Sequence, residues 1–258
     1  MAEKKPTILV TNDDGITAPG IAALVNAMKS IGNVFVVAPD SPQSGMGHAI
    51  TVAKPLRLDP VNVFEGIPNY QSSGTPADCV KLAVSKVLHH KPDLVVSGIN
   101  HGSNSSINVI YSGTMSAAVE GAIEGIPSIG FSLNNFSHQA NMETAAKYAA
   151  IIVKKMLENP LPKGTLLNVN IPDIAENKIK GIRICRQANA KWEEKFDERT
   201  DPHGRNYYWL IGNFVNYDKG EDTDEWALAN GYVSIVPVQF DLTAYHAITT
   251  LKNWETDV

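Results

Sequence analysis

Thr7-Ile8-Leu9-Val10-Thr11-Asn12-Asp13-Asp14-Gly15-Ile16 decides how this chain is read. Its first residues are aliphatic and β-branched, which reads as a buried strand. Asn-Asp-Asp-Gly then reads as the turn that leaves it. In an open parallel sheet, ligands bind beyond the carboxyl ends of the strands, so this turn delivers two adjacent carboxylates into the ligand crevice. Neighbouring anions raise the cost of ionising each other, and a divalent cation relieves it. Oxygen ligands suit a hard ion, Mg²⁺ or Mn²⁺ first, with Ca²⁺ or Co²⁺ as further fits. The same residues also read as a polar turn, with Asp14 capping the next helix and Gly15 supplying an unusual φ.

Outward from this stretch, the chain alternates strands and helices. Pro19 opens a helix over 21–31 that Gly32 closes, and Val34–Ala38 is a second strand, giving a right-handed βαβ unit. A polar loop, 39–48, leads to a β-hairpin excursion over 49–72. Thr75 caps a helix through Leu88, with Pro76 at its first position. Strands at 92–98, 127–132 and 165–171 alternate with a small-residue helix from Thr114 and an amphipathic helix over 141–157. The reading is a parallel α/β sheet over 1–172. Beyond Pro172 the pattern changes: strands at 179–186 and 206–213 flank a charged stretch, Lys191–Arg205, either mobile or an extended arm. A short helix at 223–231, a strand at 232–236 and a helical tail after Asp241 close the extension, 173–258.

With 258 residues and 43% apolar content, the chain can build one large α/β domain, or a domain plus an appendage. A net charge of −5, with no basic cluster beyond Lys4-Lys5 and Lys154-Lys155, argues against binding a nucleic-acid polymer. Cys79 and Cys185 lie far apart in apolar contexts and read as buried free thiols. The polar N-terminus lacks the apolar run of a signal peptide, and no stretch reaches membrane-spanning length, so a cytoplasmic location is expected.

Three loops that leave strand ends, 12–15, 40–48 and 99–114, hold the polar residues suited to chemistry. Asp13 and Asp14 offer charge, Ser44 a hydroxyl and Asn100 an amide oxygen, four hard donors for an octahedral ion. Ser44 reads equally as a turn residue and Asn100 as an Asx turn. Ser112-Gly113-Thr114 opens a helix whose free N–H groups and dipole attract an anion; alternatively Thr114 simply caps it. His48 and His101 lie in the same loops as candidate donors to a phosphate. Neither a P-loop nor Gly-x-Gly-x-x-Gly after the first strand is present, and no Gly-x-Ser-x-Gly elbow occurs. A cation beside an anion-binding helix end points to phosphoryl chemistry. The metal polarises the phosphate and acidifies a water, and an aspartate accepts its proton.

Several of these segments resemble the survival protein E (SurE) family: Ile8–Ile16, Ala38-Pro-Asp-Ser-Pro-Gln-Ser-Gly45, Ser73-Gly-Thr-Pro-Ala-Asp-Cys79, Val96-Ser-Gly-Ile-Asn-His-Gly-Ser-Asn104 and Tyr111-Ser-Gly-Thr-Met115. Asp201–Trp209, Thr223–Ser234 and Asp241–Ala244 continue the pattern, so it spans nearly the whole chain. The resemblance implies a Rossmann-like three-layer α/β fold, with a C-terminal β-rich extension exchanged between subunits of a homodimer or tetramer. It implies a metal-dependent phosphatase acting on nucleoside 5′- and 3′-monophosphates, with activity on short polyphosphate in some members. It also implies that Asp13, Asp14, Ser44 and Asn100 hold the metal. Asp13 and Asp14 are then the catalytic pair, with Asp14 as proton acceptor. Asn12, Gly45, Asn104, Ser112, Gly113 and Thr114 are the candidate substrate contacts. The rival reading is a non-catalytic nucleotide-binding sensor using the same pocket. His203 stands where many members have Arg, and Met115 where Val is frequent; neither is among the proposed ligands.

Overall fold

A computed structural model describes residues 5–137 and 139–256. The opening run forms strand β1 (Thr7–Thr11), with Ile8, Leu9 and Val10 fully buried. Burial on both faces is why this strand is continuously apolar and does not alternate. Helix α1 (Pro19–Met28) starts at Pro19, whose missing N–H has no intrahelical partner to lose, and turns Ile21, Leu24, Val25 and Met28 inward. A Cβ on Gly20 would stand 1.9 Å from the Ile99 carbonyl oxygen, so this helix meets the sheet through bare backbone. Strand β2 (Asn33–Pro39) then pairs parallel with β1.

The excursion after β2 is the expected hairpin, but only β3 (Leu58–Pro60) and β4 (Asn69–Ser72) are regular, and β4 joins the main sheet parallel to β2. A capping box between Thr75 and Asp78 starts α2 (Pro76–Leu82), which continues as a π-helical turn over Ala83–Leu88. There follow β5 (Leu94–His101), α3 (Asn108–Tyr111), α4 (Gly113–Ile123), β6 (Ser128–Leu133), α5 (Glu143–Glu158) and β7 (Thr165–Ile171). The rest comprises β8 (Ile182–Ile184), β9 (Ala190–Thr200), β10 (Asn206–Asn216), α6 (Asp224–Ala229), β11 (Val233–Gln239) and α7 (Tyr245–Leu251).

The main sheet has the order β3-β4-β2-β1-β5-β6-β7-β11-β8, parallel from β4 to β7. On one face α1 and α5 pack Leu24, Val25, Ile152 and Val153 onto Ile8, Val10 and Val96. On the other, Cys79 and Val80 of α2 and Ala117 of α4 meet Leu9, Val37 and Val95. This is a three-layer α/β fold with a mostly parallel sheet, as expected.

The chain beyond 172 divides between two sheets. β11 pairs antiparallel with β7 and carries β8, so both extend the main sheet. Among the described residues β9 and β10 pair only with each other, in register from Ala190↔Asn216 to Thr200↔Asn206. The charged stretch expected to be either mobile or an extended arm is therefore a strand of an antiparallel arm, and the strand expected at 179–186 shrinks to three residues. Both cysteines are free and buried, Cys79 fully so. Among the described residues, no helix is long and apolar enough to cross a membrane.

Candidate active site

Because β2, β1 and β5 are parallel neighbours, the loops leaving their carboxyl ends emerge side by side. Backbone bonds stitch them together. The Gln43 N–H donates to the Asp13 carbonyl at 2.8 Å, and the Ile16 N–H to the Pro39 carbonyl at 2.9 Å. Gly47 N–H reaches the Tyr111 carbonyl at 3.2 Å, so the loop after β2 also touches the turn before α4. Gly15, at φ +95°, supplies the left-handed backbone of the first turn, and Asn12 Nδ2 closes it by donating to the Gly15 carbonyl at 2.9 Å.

Asp13 is buried at this junction, 4% exposed. The first turn of α4 sits on its side chain: a Cβ on Gly113 would fall 2.6 Å from Asp13 Cβ and 2.8 Å from Oδ2. The Thr114 hydroxyl donates to Asp13 Oδ1 at 2.5 Å. Burial pushes the Asp13 carboxyl up to about 6; the bonds from Thr114 pull it back, and the charge of Asp14 adds to the rise. Asp14 is more open, its side chain 16% exposed, with Oδ2 3.3 Å from Nδ1 of the buried His101 imidazole. No Lys or Arg among the described residues forms an ion pair with either aspartate.

The other expected site residues fall as follows. Asn100, near the end of β5, is half-buried and donates Nδ2 to the Gly102 carbonyl at 2.8 Å, leaving its amide oxygen as a hard donor. Ser44 is exposed, one residue beyond the Gln43–Asp13 bond. Gly45 (φ +73°) has open space where a Cβ would stand. Ser112 caps α4, its hydroxyl accepting from the Met115 N–H at 3.0 Å. Asn12 is buried, and its Oδ1 accepts no hydrogen bond among the described residues. Asn104 lies in an interior network: Nδ2 donates to Ser132 Oγ, its N–H to Asn170 Oδ1, and its carbonyl accepts from Asn168 Nδ2, each at 2.8 Å. That network holds the 102–106 turn on the sheet edge.

Two features escape sequence reading. The Glu120 side chain, 2% exposed, receives Lys81 Nζ at 2.6 Å and lies 2.9 Å from His48 Nε2, anchoring the loop after β2 to α2 and α4. Its signal is a lone acid inside the small apolar run Ala117–Ala122. Asp224 accepts backbone N–H groups from Ser106 (2.7 Å), Ala188 (2.9 Å) and Glu225 (2.9 Å), tying the 102–106 turn to the root of the arm. At sequence level it reads only as a first-turn acid of α6.

No group of three or more His, Cys, Asp and Glu side chains among the described residues could hold a metal ion. A cation here therefore needs the acidic pair together with neutral oxygens, a donor set that suits Mg²⁺ or Mn²⁺ and not a soft metal. A buried carboxylate next to a part-exposed one, with no Lys or Arg paired to either among the described residues, and a buried Asn12 oxygen that accepts no hydrogen bond in the same turn, fit a divalent ion.

The model of the family described as survival protein SurE matches residues 8–194. A protein of Christiangramia forsetii named 5′-nucleotidase SurE is 65% identical over 256 residues, covering 98% of each chain. One of the same name from Flavobacterium psychrophilum is 62% identical, covering 97% of this chain and 98% of its own. The crystal structure of the SurE protein from Aquifex aeolicus superposes with a TM-score of 0.85 at 44% identity, covering 97% of this chain and all of that one. A match across all the loops of the crevice, on the same fold, establishes that this chain belongs to the survival protein SurE family.

Proposed function

We propose that the protein is a divalent-metal-dependent nucleotidase, a phosphoric monoester hydrolase that cleaves nucleoside 5′-monophosphates to nucleoside and phosphate. Activity on 3′-monophosphates and short polyphosphate belongs to the same reading. The observation that carries it is buried Asp13 under the first turn of α4, beside Asp14, at the carboxyl edge of a parallel sheet. The names of close relatives, 5′-nucleotidase SurE, support the substrate class.

In this reading Asp13, Asp14, Ser44 and Asn100 hold the cation, Mg²⁺ or Mn²⁺ before Ca²⁺ or Co²⁺. Bound there, it supplies charge neutralisation and polarises the phosphoryl oxygens. Thr114 and Gly113 fix the Asp13 carboxylate, and His101 orients Asp14. Asp14, the more exposed of the two, accepts the proton of the attacking water. Asn12, Gly45 and Ser112 line the approach of the phosphate, and Asn104 holds the turn beside it.

The arm supports assembly of a homodimer, or of a tetramer built from it. Phe196 (69% exposed), Trp209 and Leu210 stand exposed on a two-stranded sheet that, among the described residues, pairs with no other strand. An isolated hairpin is marginal in water, so a second copy is its natural cover. A cytoplasmic location completes the proposal.

Phosphate release from nucleoside 5′-monophosphates, measured with Mn²⁺ and with EDTA, tests the function. Release that stops on chelation supports it. Nucleotide binding without release would favour a sensor.

A further inference from the structure

Tyr111, one residue before the Ser112-Gly113-Thr114 run that touches Asp13, lines a cleft that the hydrolytic step does not use. About 340 Å³ in volume, it opens between α3 and the root of the arm, lined by Ile107, Tyr111, Gln187, Asn189, Lys191 and Trp192 among others. That volume lies within the roughly 300–1,000 Å³ typical of small-molecule sites. Two aromatic side chains are available in it, Tyr111 at 57% and Trp192 at 37% exposure.

The walls are held in place before any ligand arrives. The Trp192 indole N–H donates to Asn108 Oδ1 at 2.8 Å, and its ring meets Phe214 edge-on with centroids 5.5 Å apart. Ser106 Oγ lies 2.8 Å and 2.9 Å from the Ala188 and Ala190 carbonyls and accepts from the Ala190 N–H at 3.2 Å. Asp224 clamps the same corner through the Ser106 and Ala188 N–H groups, and the Ser105 hydroxyl donates to Glu225 beside it. A ligand that uses these faces has little ordering left to do.

Position connects the cleft to the chemistry. Tyr111 is followed directly by Ser112, Gly113 and Thr114, and the last two touch Asp13. Its carbonyl accepts from Gly47, in the loop that carries Ser44. The charge in the cleft argues against a second phosphate. Lys191 is balanced by Glu194, which also lines it, and the Lys191 ammonium lies over the Tyr217 ring at 5.8 Å. A neutral, flat, hydrogen-bonding ligand matches these walls.

We propose that this cleft is the nucleobase subsite of the enzyme: the heteroaromatic base lies against Tyr111 and Trp192, and the side-chain amides of Gln187 and Asn189 meet its edge. The proposal rests on the nucleotidase reading and makes the arm part of substrate recognition. A base stacked on an aromatic side chain loses about tenfold in affinity when that side chain is removed.

The test compares adenosine 5′-monophosphate with ribose 5-phosphate, which lacks the base, in Tyr111→Leu and Trp192→Leu. The ratio of kcat/KM for the nucleotide to that for the sugar phosphate should fall about tenfold in each. A fall shared equally by both substrates overturns the proposal. So does a change of oligomeric state with the ratio unmoved, which would make the cleft a contact between copies. Tryptophan fluorescence of the unaltered protein, titrated with adenosine alone, should be quenched, and Trp192→Phe should remove that response. No quench up to millimolar adenosine overturns the base subsite whatever the activity, whereas absence of phosphate release from both substrates overturns the nucleotidase reading.

Discussion

The Thr114 hydroxyl donates to Asp13 Oδ1 across 2.5 Å, joining residues 101 positions apart. One end is the tip of the first strand and the other the first turn of α4, so the helix N-terminus acts on the carboxylate of the chain itself. Thr114→Val removes this donor and keeps the shape. A buried carboxylate that loses a charge-assisted bond costs about 1.5–3 kcal/mol, so kcat/KM should fall at least about tenfold. Thr114→Ser should restore most of it. Steady-state phosphate release measures both, and a Val variant with unchanged kcat/KM would show that the bond is incidental.

Asp13→Asn should abolish phosphate release and leave the fold intact, because the amide still accepts from Thr114. In EDTA it should melt no lower than the unaltered protein, since burial, and to a lesser degree the charge of Asp14, already disfavours the ionised Asp13 carboxyl. An ion at one hundred times its Kd stabilises the folded state by about 2.7 kcal/mol. Mn²⁺ should therefore raise the Tm of the unaltered protein by several degrees and leave that of the variant unmoved. Equal shifts in both would remove Asp13 from the metal site.

Glu120 sets an acid limit to stability. Burial pushes its carboxyl up, but the bonds from His48 and Lys81 outweigh burial and hold it below the usual range. A depressed folded value means that its contribution is present above the unfolded value, about 4.3, and is lost as pH falls through the folded one. Urea midpoints of the unaltered protein and Glu120→Gln should differ at pH 7, the variant being weaker, and converge towards pH 3. A gap that stays constant over that range would contradict the assignment.

The arm should decide the oligomeric state. Leu210 and Phe196 face each other across β9 and β10, both more than half exposed. Phe196→Ser combined with Leu210→Ser should convert a dimer or larger species into a monomer, read by light scattering on an eluting column. An unchanged mass would place the interface elsewhere.

The layered core was legible because β1, β2 and the start of β5 are covered by helices on both faces and so appear as apolar runs, Ile8–Val10, Val34–Ala38 and Leu94–Val96, while β6 and β7 keep every second residue apolar, Ile129, Phe131 and Leu133 against Leu167, Val169 and Ile171. β9 was not. Its residues, Ala-Lys-Trp-Glu-Glu-Lys-Phe-Asp-Glu-Arg-Thr, pair among the described residues only with β10, outside the layered sheet whose packing imposes an apolar pattern on the other strands. Glu120 and Asp224 were illegible as anchors for a related reason: a buried acid declares itself only through partners, and Lys81, His48, Ser106 and Ala188 come from elsewhere in the chain.

By itself the sequence determined that Asp13 and Asp14 stand together at a strand end, because that needs only a strand, a turn and a glycine within ten residues. Only the tertiary structure decided that Thr114 and Gly113 close on Asp13, that His101 meets Asp14, and that a cleft opens between α3 and the root of the arm. Local preferences act over a few residues, whereas these contacts depend on sheet order, which places β2, β1 and β5 side by side and brings α4 over their ends.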